Sequence, residues 1–167
     1  MSARDNFFDN ANKNNEADRK AKNDFNQAMS EFRDKTQSLI SEIQSWFEGS
    51  SITSNTSLQT IPDSIERNVT HRVQSLLLQN GEKTLTIQPE GLMYMGGITG
   101  ALKVKIINMS RSPNTQTFSL HMRDKAPRAI GVPESYEGWV IVTSSNQGRV
   151  VTVLNEENFF EAIQSFA

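Results

Sequence analysis

His71 and His121 are the only two side chains in this chain whose ordinary charge change falls near neutral pH. A nucleophile–base pair would need one of them beside a hydroxyl and a third, orienting group. His71 falls in a segment read as helix and His121 on the polar face of a strand, so both read as ordinary surface residues. A structural or catalytic zinc needs three or four ligands with local pairing such as His-x-x-x-His, and that spacing does not occur. There is no cysteine, which removes disulfides, thiolate metal sites and cysteine nucleophiles. No metal and no cofactor is expected.

The glycines of Gly91-Leu-Met-Tyr-Met-Gly-Gly-Ile-Thr-Gly100 invite comparison with a phosphate-binding loop. Such a loop opens its amides onto a helix N-terminus and ends in Gly-Lys-Ser/Thr. Here the segment runs into Ala101–Ile107, which alternates as a strand. It reads first as a turn or bulge. Tyr94, Gly96, Gly97 and Gly100 remain the candidate lining of a small-ligand or nucleotide pocket.

Asp63 and the Glu82-Lys83 pair only loosely resemble a metal-dependent nuclease, because that arrangement wants a spacer between Glu and Lys. Adjacent residues on a strand point to opposite faces. Glu156 and Glu157 stand where a helix start places acids for electrostatic reasons. Tyr136 and Trp139 follow a proline-bearing loop, and Trp139 reads as the start of a buried strand. Lys103 and Lys105 share one strand face, and Arg123, Lys125 and Arg128 follow in sequence, with Arg111 in a nearby loop. They form a candidate basic patch, but no aromatic residues interleave on that face for base stacking. With a formal charge of -2 the chain offers no general field for a phosphate backbone, so nucleic-acid binding is the third reading. Catalytic residues are not identified, and the chain reads as a non-enzyme.

The strongest pattern is structural. Phe25, Met29, Phe32, Thr36, Leu39, Ile43 and Trp46 follow one another at alternating steps of four and three. This is the rhythm of a helix seam built to meet another helix. Phe and Trp are bulky and Thr36 polar for a tight coiled coil. The seam spans 22 residues, roughly 33 Å of helix. Ahead of it, residues 1–20 are polar and Asn-rich, with Phe7 and Phe8 as the only large apolar groups. Asn competes with the helical backbone, so this part is expected to be a frayed helix unless Phe7 and Phe8 find a partner.

Behind the seam, 49–61 is rich in Gly, Ser, Thr and Asn and reads as a flexible linker. Asp63-Ser-Ile-Glu66 has the spacing of a capping box. Ile65, Val69, Val73, Leu76 and Leu77 follow at helical intervals, and Gly81 closes the element. The competing reading makes His71–Leu78 a strand. From Lys83 the period falls to two: Leu85 and Ile87; Leu92–Met95; Leu102, Val104 and Ile106; Phe118, Leu120 and Met122; then Trp139–Thr143 and Arg149–Leu154 around Ser144–Gly148, a hairpin signal. A final helix is capped by Asn155 and carries Phe159, Phe160, Ile163 and Phe166 on one face.

The expected fold is therefore α+β. A long N-terminal helical, coiled-coil-like arm (1–48) joins, through the linker (49–61), a domain (62–167) built on an antiparallel β-meander of about five or six strands flanked by helices. No apolar run approaches the ~20 residues of a spanning helix and no secretory leader is visible, so the chain reads as cytoplasmic, with no membrane partner. The functional expectation is a protein-binding module, an accessory, inhibitory, immunity- or antitoxin-like or chaperone-like subunit. Its arm would bind a protein partner or a second copy through Phe25, Met29, Phe32, Leu39, Ile43 and Trp46. The alternative is a ligand-binding domain using the 91–100 loop.

Overall fold

The computed structural model describes residues 1–92, 98–123, 136 and 138–167. One helix, α1, runs from Ala3 to Trp46, 44 residues or roughly 66 Å. Its start is a full capping box: the Ser2 side chain accepts from the Asp5 amide while the Asp5 carboxylate accepts from the Ser2 amide. The Ser2 hydroxyl, which donates to the Asp5 carboxylate at 2.7 Å, and then the Ser2 amide hold the Asp5 carboxyl below the usual carboxylate range.

Seven antiparallel strands follow among the described residues: β1 (Thr53–Pro62), β2 (Thr70–Asn80), β3 (Lys83–Gly91), β4 (Ile98–Ile107), β5 (Thr115–Arg123), β6 (Gly138–Ser145) and β7 (Gly148–Val153). They pair in chain order, an uninterrupted meander with β1 and β7 at the edges. The chain closes with α2 (Glu156–Ala162) and a 3-10 turn over Gln164–Phe166.

Alternation sets the inner face. Leu85 and Ile87 of β3, Leu102, Val104 and Ile106 of β4, and Phe118, Leu120 and Met122 of β5 are all buried. The helix lies on them. Phe25, Met29, Phe32, Leu39, Ile40 and Ile43 are buried in the same core cluster as those strand residues. The expected intermolecular seam is thus an intramolecular one. Each of its residues is covered by the chain itself, apart from half-buried Trp46, whose ring sits 5.5 Å from that of Phe159. The physical reason is width. Ile40 and Phe47 are buried beside the seam, so the apolar stripe broadens toward its C-terminal end. A broad stripe suits a sheet, whereas a coiled coil needs only a narrow one.

Two further expectations change. The segment expected to be a linker becomes β1 from Thr53 onward, so the arm and the sheet are directly joined rather than separated by a flexible connector. The helix expected between Asp63 and Gly81 is instead a short loop followed by β2. These two strands account for the larger strand number. Leu92 lies outside any strand, and Met93–Met95 fall outside the described residues.

Inward positions in β2 change phase along the strand. Val73 and Ser75 are buried, then Leu76 and Leu78, and the switch falls where pairing with β3 begins at Leu76. The buried Ser75 hydroxyl is satisfied by that of Ser57 at 2.8 Å. α2 matches expectation: Asn155 accepts from the Asn158 amide at 2.8 Å, and Phe159, Ile163 and Phe166 are buried. Phe47 meets Phe159, Phe160 and Phe166 with ring centroids 5.2–6.5 Å apart. Side chains at the sheet's end hold this C-terminal segment: Asn80 donates to the Phe166 carbonyl and Asn108 to that of Ser165.

Candidate functional site

The side chains brought together with the most polar organisation are Asp63 and His71. Asp63 follows the last residue of β1, and its side chain is almost wholly buried. One carboxylate oxygen accepts from the amides of Ile65 and Glu66 at 2.7 and 2.8 Å, and the other meets His71 Nε2 at 2.8 Å. Burial alone would raise the Asp63 pKa. The Glu66 amide, His71 and the Ile65 amide outweigh it and hold the carboxyl below its usual range. The capping spacing seen in the sequence is therefore used, but by a tight loop rather than a helix. The Asp63 amide also donates to the Val69 carbonyl at 3.0 Å, which closes that loop.

The loop is where α1 leaves the sheet. Lys22 pairs with Glu66, and the Phe25 ring lies 5.9 Å from that of His71. An acid–imidazole pair also forms part of hydrolytic triads, but here no Ser, Thr or Tyr hydroxyl bonds the imidazole among the described residues. The pair ties the start of the β1–β2 loop to β2, and the Lys22–Glu66 ion pair with the Phe25 ring holds that loop beside the helix. Among the described residues no group of three His, Asp or Glu side chains is placed to hold a metal.

Beside this pair, α1 and the β1–β2 hairpin enclose an open groove of about 510 Å³. Arg33 and Gln37 line it from the helix, Leu58 from β1, and His71, Arg72 and Gln74 from β2. Gln74 Oε1 is buried and, among the described residues, without a hydrogen-bond partner. Neither arginine has an ion pair among the described residues. Sequence reasoning missed this groove because both strands that form it were read otherwise. The usable signal was the His71–Leu78 strand reading, with Thr recurring at Thr53, Thr56 and Thr60 ahead of Ile61.

Beyond the loop no other described element packs on the helix. From Met1 to Asp24 every residue is exposed, apart from half-buried Ala11. Phe7 and Phe8 are 67 % and 50 % exposed, their rings 5.8 Å apart, with the Arg4 guanidinium 5.3 Å above Phe8. The part of α1 expected to fray is thus regular helix, and the part expected to be free is buried.

The remaining candidates separate. His121 is buried on β5 rather than exposed on a polar face. Tyr94, Gly96 and Gly97 lie outside the described residues. Gly100 is described, and its role is packing: a Cβ there would stand 2.4 Å from Phe32 Cδ2, so the missing side chain makes room for a buried ring. Lys103 and Lys105 are exposed on β4, as expected of a solvated strand face. Lys125 and Arg128 lie outside the described residues, and of Arg123 only its strand pairing with Ile98 and Gly138 is described.

Among the described residues no helix is long and apolar enough to cross a membrane. Comparison with family models, with curated proteins and with solved structures finds no match. The fold class the coordinates define is α+β, one long helix on a seven-stranded antiparallel meander.

Proposed function

We propose that this chain is a non-enzymatic, cytoplasmic protein-binding module whose docking element is the free N-terminal part of α1. The observation that carries this reading is the placement of Phe7 and Phe8, two large apolar side chains exposed near the tip of a helix segment that its own domain leaves uncovered. Exposed aromatics on a preformed helix are efficient anchors, because little ordering entropy remains to be lost on binding. The charge pattern favours a protein over other partners. Between Ala3 and Asp24, Arg4, Lys13, Arg19, Lys20 and Lys22 are balanced by Asp5, Asp9, Glu16, Asp18 and Asp24. A helix for anionic lipid or nucleic acid would carry an excess of Lys and Arg. The sheet domain then acts as the body that holds the arm, through the Lys22–Glu66 pair and the core beginning at Phe25.

The test compares the native chain with its Phe7→Ala/Phe8→Ala variant as bait, followed by mass spectrometry and measurement of mass in solution. Because both rings are exposed, the variant keeps the melting temperature of the native chain. A protein retained by the native chain and lost by the variant supports the reading. Identical bound proteins and identical mass in solution would end it.

A further inference from the structure

The sheet has an undefended edge. β1 has one hydrogen-bonded neighbour, β2, in a register that runs without a break from Thr53↔Gln79 to Pro62↔Thr70. Alternate amides and carbonyls of β1 therefore face outward with no strand partner among the described residues. Of its ten residues only Ile61 is buried. Natural sheets protect such edges with lysines, bulges, early prolines or short strands. β1 is ten residues long and carries no charged residue, and its proline is the last of them. The irregularities in this sheet fall elsewhere, at Pro89/Gly91 and Ile98/Gly100. The opposite edge differs: β7 has six residues and includes Arg149.

We propose that β1 pairs antiparallel with β1 of a second copy across a two-fold axis, joining two sheets edge to edge. Backbone groups on a strand edge recognise another strand, and the side chains say which one. A two-fold antiparallel pair sets a strand against itself, so a charge near its middle would face its own copy at close range. The absence of any charge from Thr53 to Pro62 removes that obstacle. Leu58, near the middle of β1, is 61 % exposed. A register centred there places Leu58 opposite the partner's Leu58 and Thr56 opposite the partner's Thr60. Two exposed leucines then cover each other, and threonines, which pair well across strands, meet on either side.

The experiment is sedimentation equilibrium on the full chain over a wide concentration range. The expected species has twice the 18.8 kDa of one chain. Leu58→Lys is expected to weaken the dimer by about tenfold or more, because like charges then stand directly opposite. An equimolar mixture of the Leu58→Lys and Leu58→Glu variants is expected to restore it as a mixed pair. Should Leu58→Lys fail to fold, the Thr56→Lys/Thr60→Lys double variant, at two exposed positions that face each other across the pair, sets lysine opposite lysine and serves in its place. The Phe7→Ala/Phe8→Ala variant dimerises as the native chain does, which separates this edge from the helical arm. A native chain that stays a single subunit throughout, a Leu58→Lys dimer as tight as the native one, or a mixture that does not re-pair would each overturn the proposal.

Discussion

Replacing Thr36 with valine is expected to make this protein more stable. Thr36 is fully buried in the middle of the helix–sheet seam, one turn from Phe32 on one side and Ile40 on the other. Its hydroxyl oxygen has no hydrogen-bond partner among the described residues. Burying a hydroxyl without a bond costs about 1–3 kcal/mol by mutational measures. Valine has nearly the same volume and the same β-branch, and its helix propensity is close to that of threonine, so little else changes. Thr36→Val should therefore gain about 1–2 kcal/mol. With a urea dependence of about 2 kcal/mol/M, the unfolding midpoint rises by roughly 0.5–1 M at unchanged slope. Thr36→Ser keeps the hydroxyl and deletes a buried methyl, so it should lose about 1 kcal/mol. The expected order is Val above Thr above Ser. A valine variant whose midpoint equals or falls below that of the native chain would refute the reasoning. It would mean that the hydroxyl is satisfied in solution, for example by the Phe32 carbonyl one turn back.

Two other perturbations probe the same framework. Gly100→Ala drives a Cβ into the buried Phe32 ring and should cost about 1–3 kcal/mol, read as a lower melting temperature; a Phe32→Leu background should reduce that cost, and an alanine variant as stable as the native chain would show that the ring can shift freely. Asp63, held below the usual carboxylate range, contributes stability that is fully present above that range and is lost as pH falls through its lowered folded value. Melting temperatures measured from about pH 5 down to about pH 2 should fall more steeply for the native chain than for Asp63→Asn, and identical slopes would remove the carboxylate from the account.

Much of this fold is legible along the chain because it rests on local rules. The apolar beat from Phe25 to Trp46, the Asn155 cap and the alternation in β3 to β7 each follow from the period of one element and the chemistry of its ends. Those features appear in the structure where the residues place them. The misreadings are also physical. β2 carries inward residues at Val73 and then at Leu76 because its buried face changes phase, and that spacing imitates a helix turn. Asp63 accepts amides two and three residues ahead, as a helix cap does, yet the chain turns back into a strand. β1 shows little alternation because, at the sheet edge, nearly all its side chains meet solvent.

The candidate site was less legible than the fold. An amphipathic helix announces that one face must be covered, and its own residues say how broad that face is. They do not say what covers it, because burial depends on surfaces that come from distant parts of the chain. Here the cover for Phe25 to Ile43 is built from strands that begin with Thr53 and extend beyond Val140. Only when those strands assemble does the free surface move from the middle of α1 to Phe7, Phe8 and the outer edge of β1.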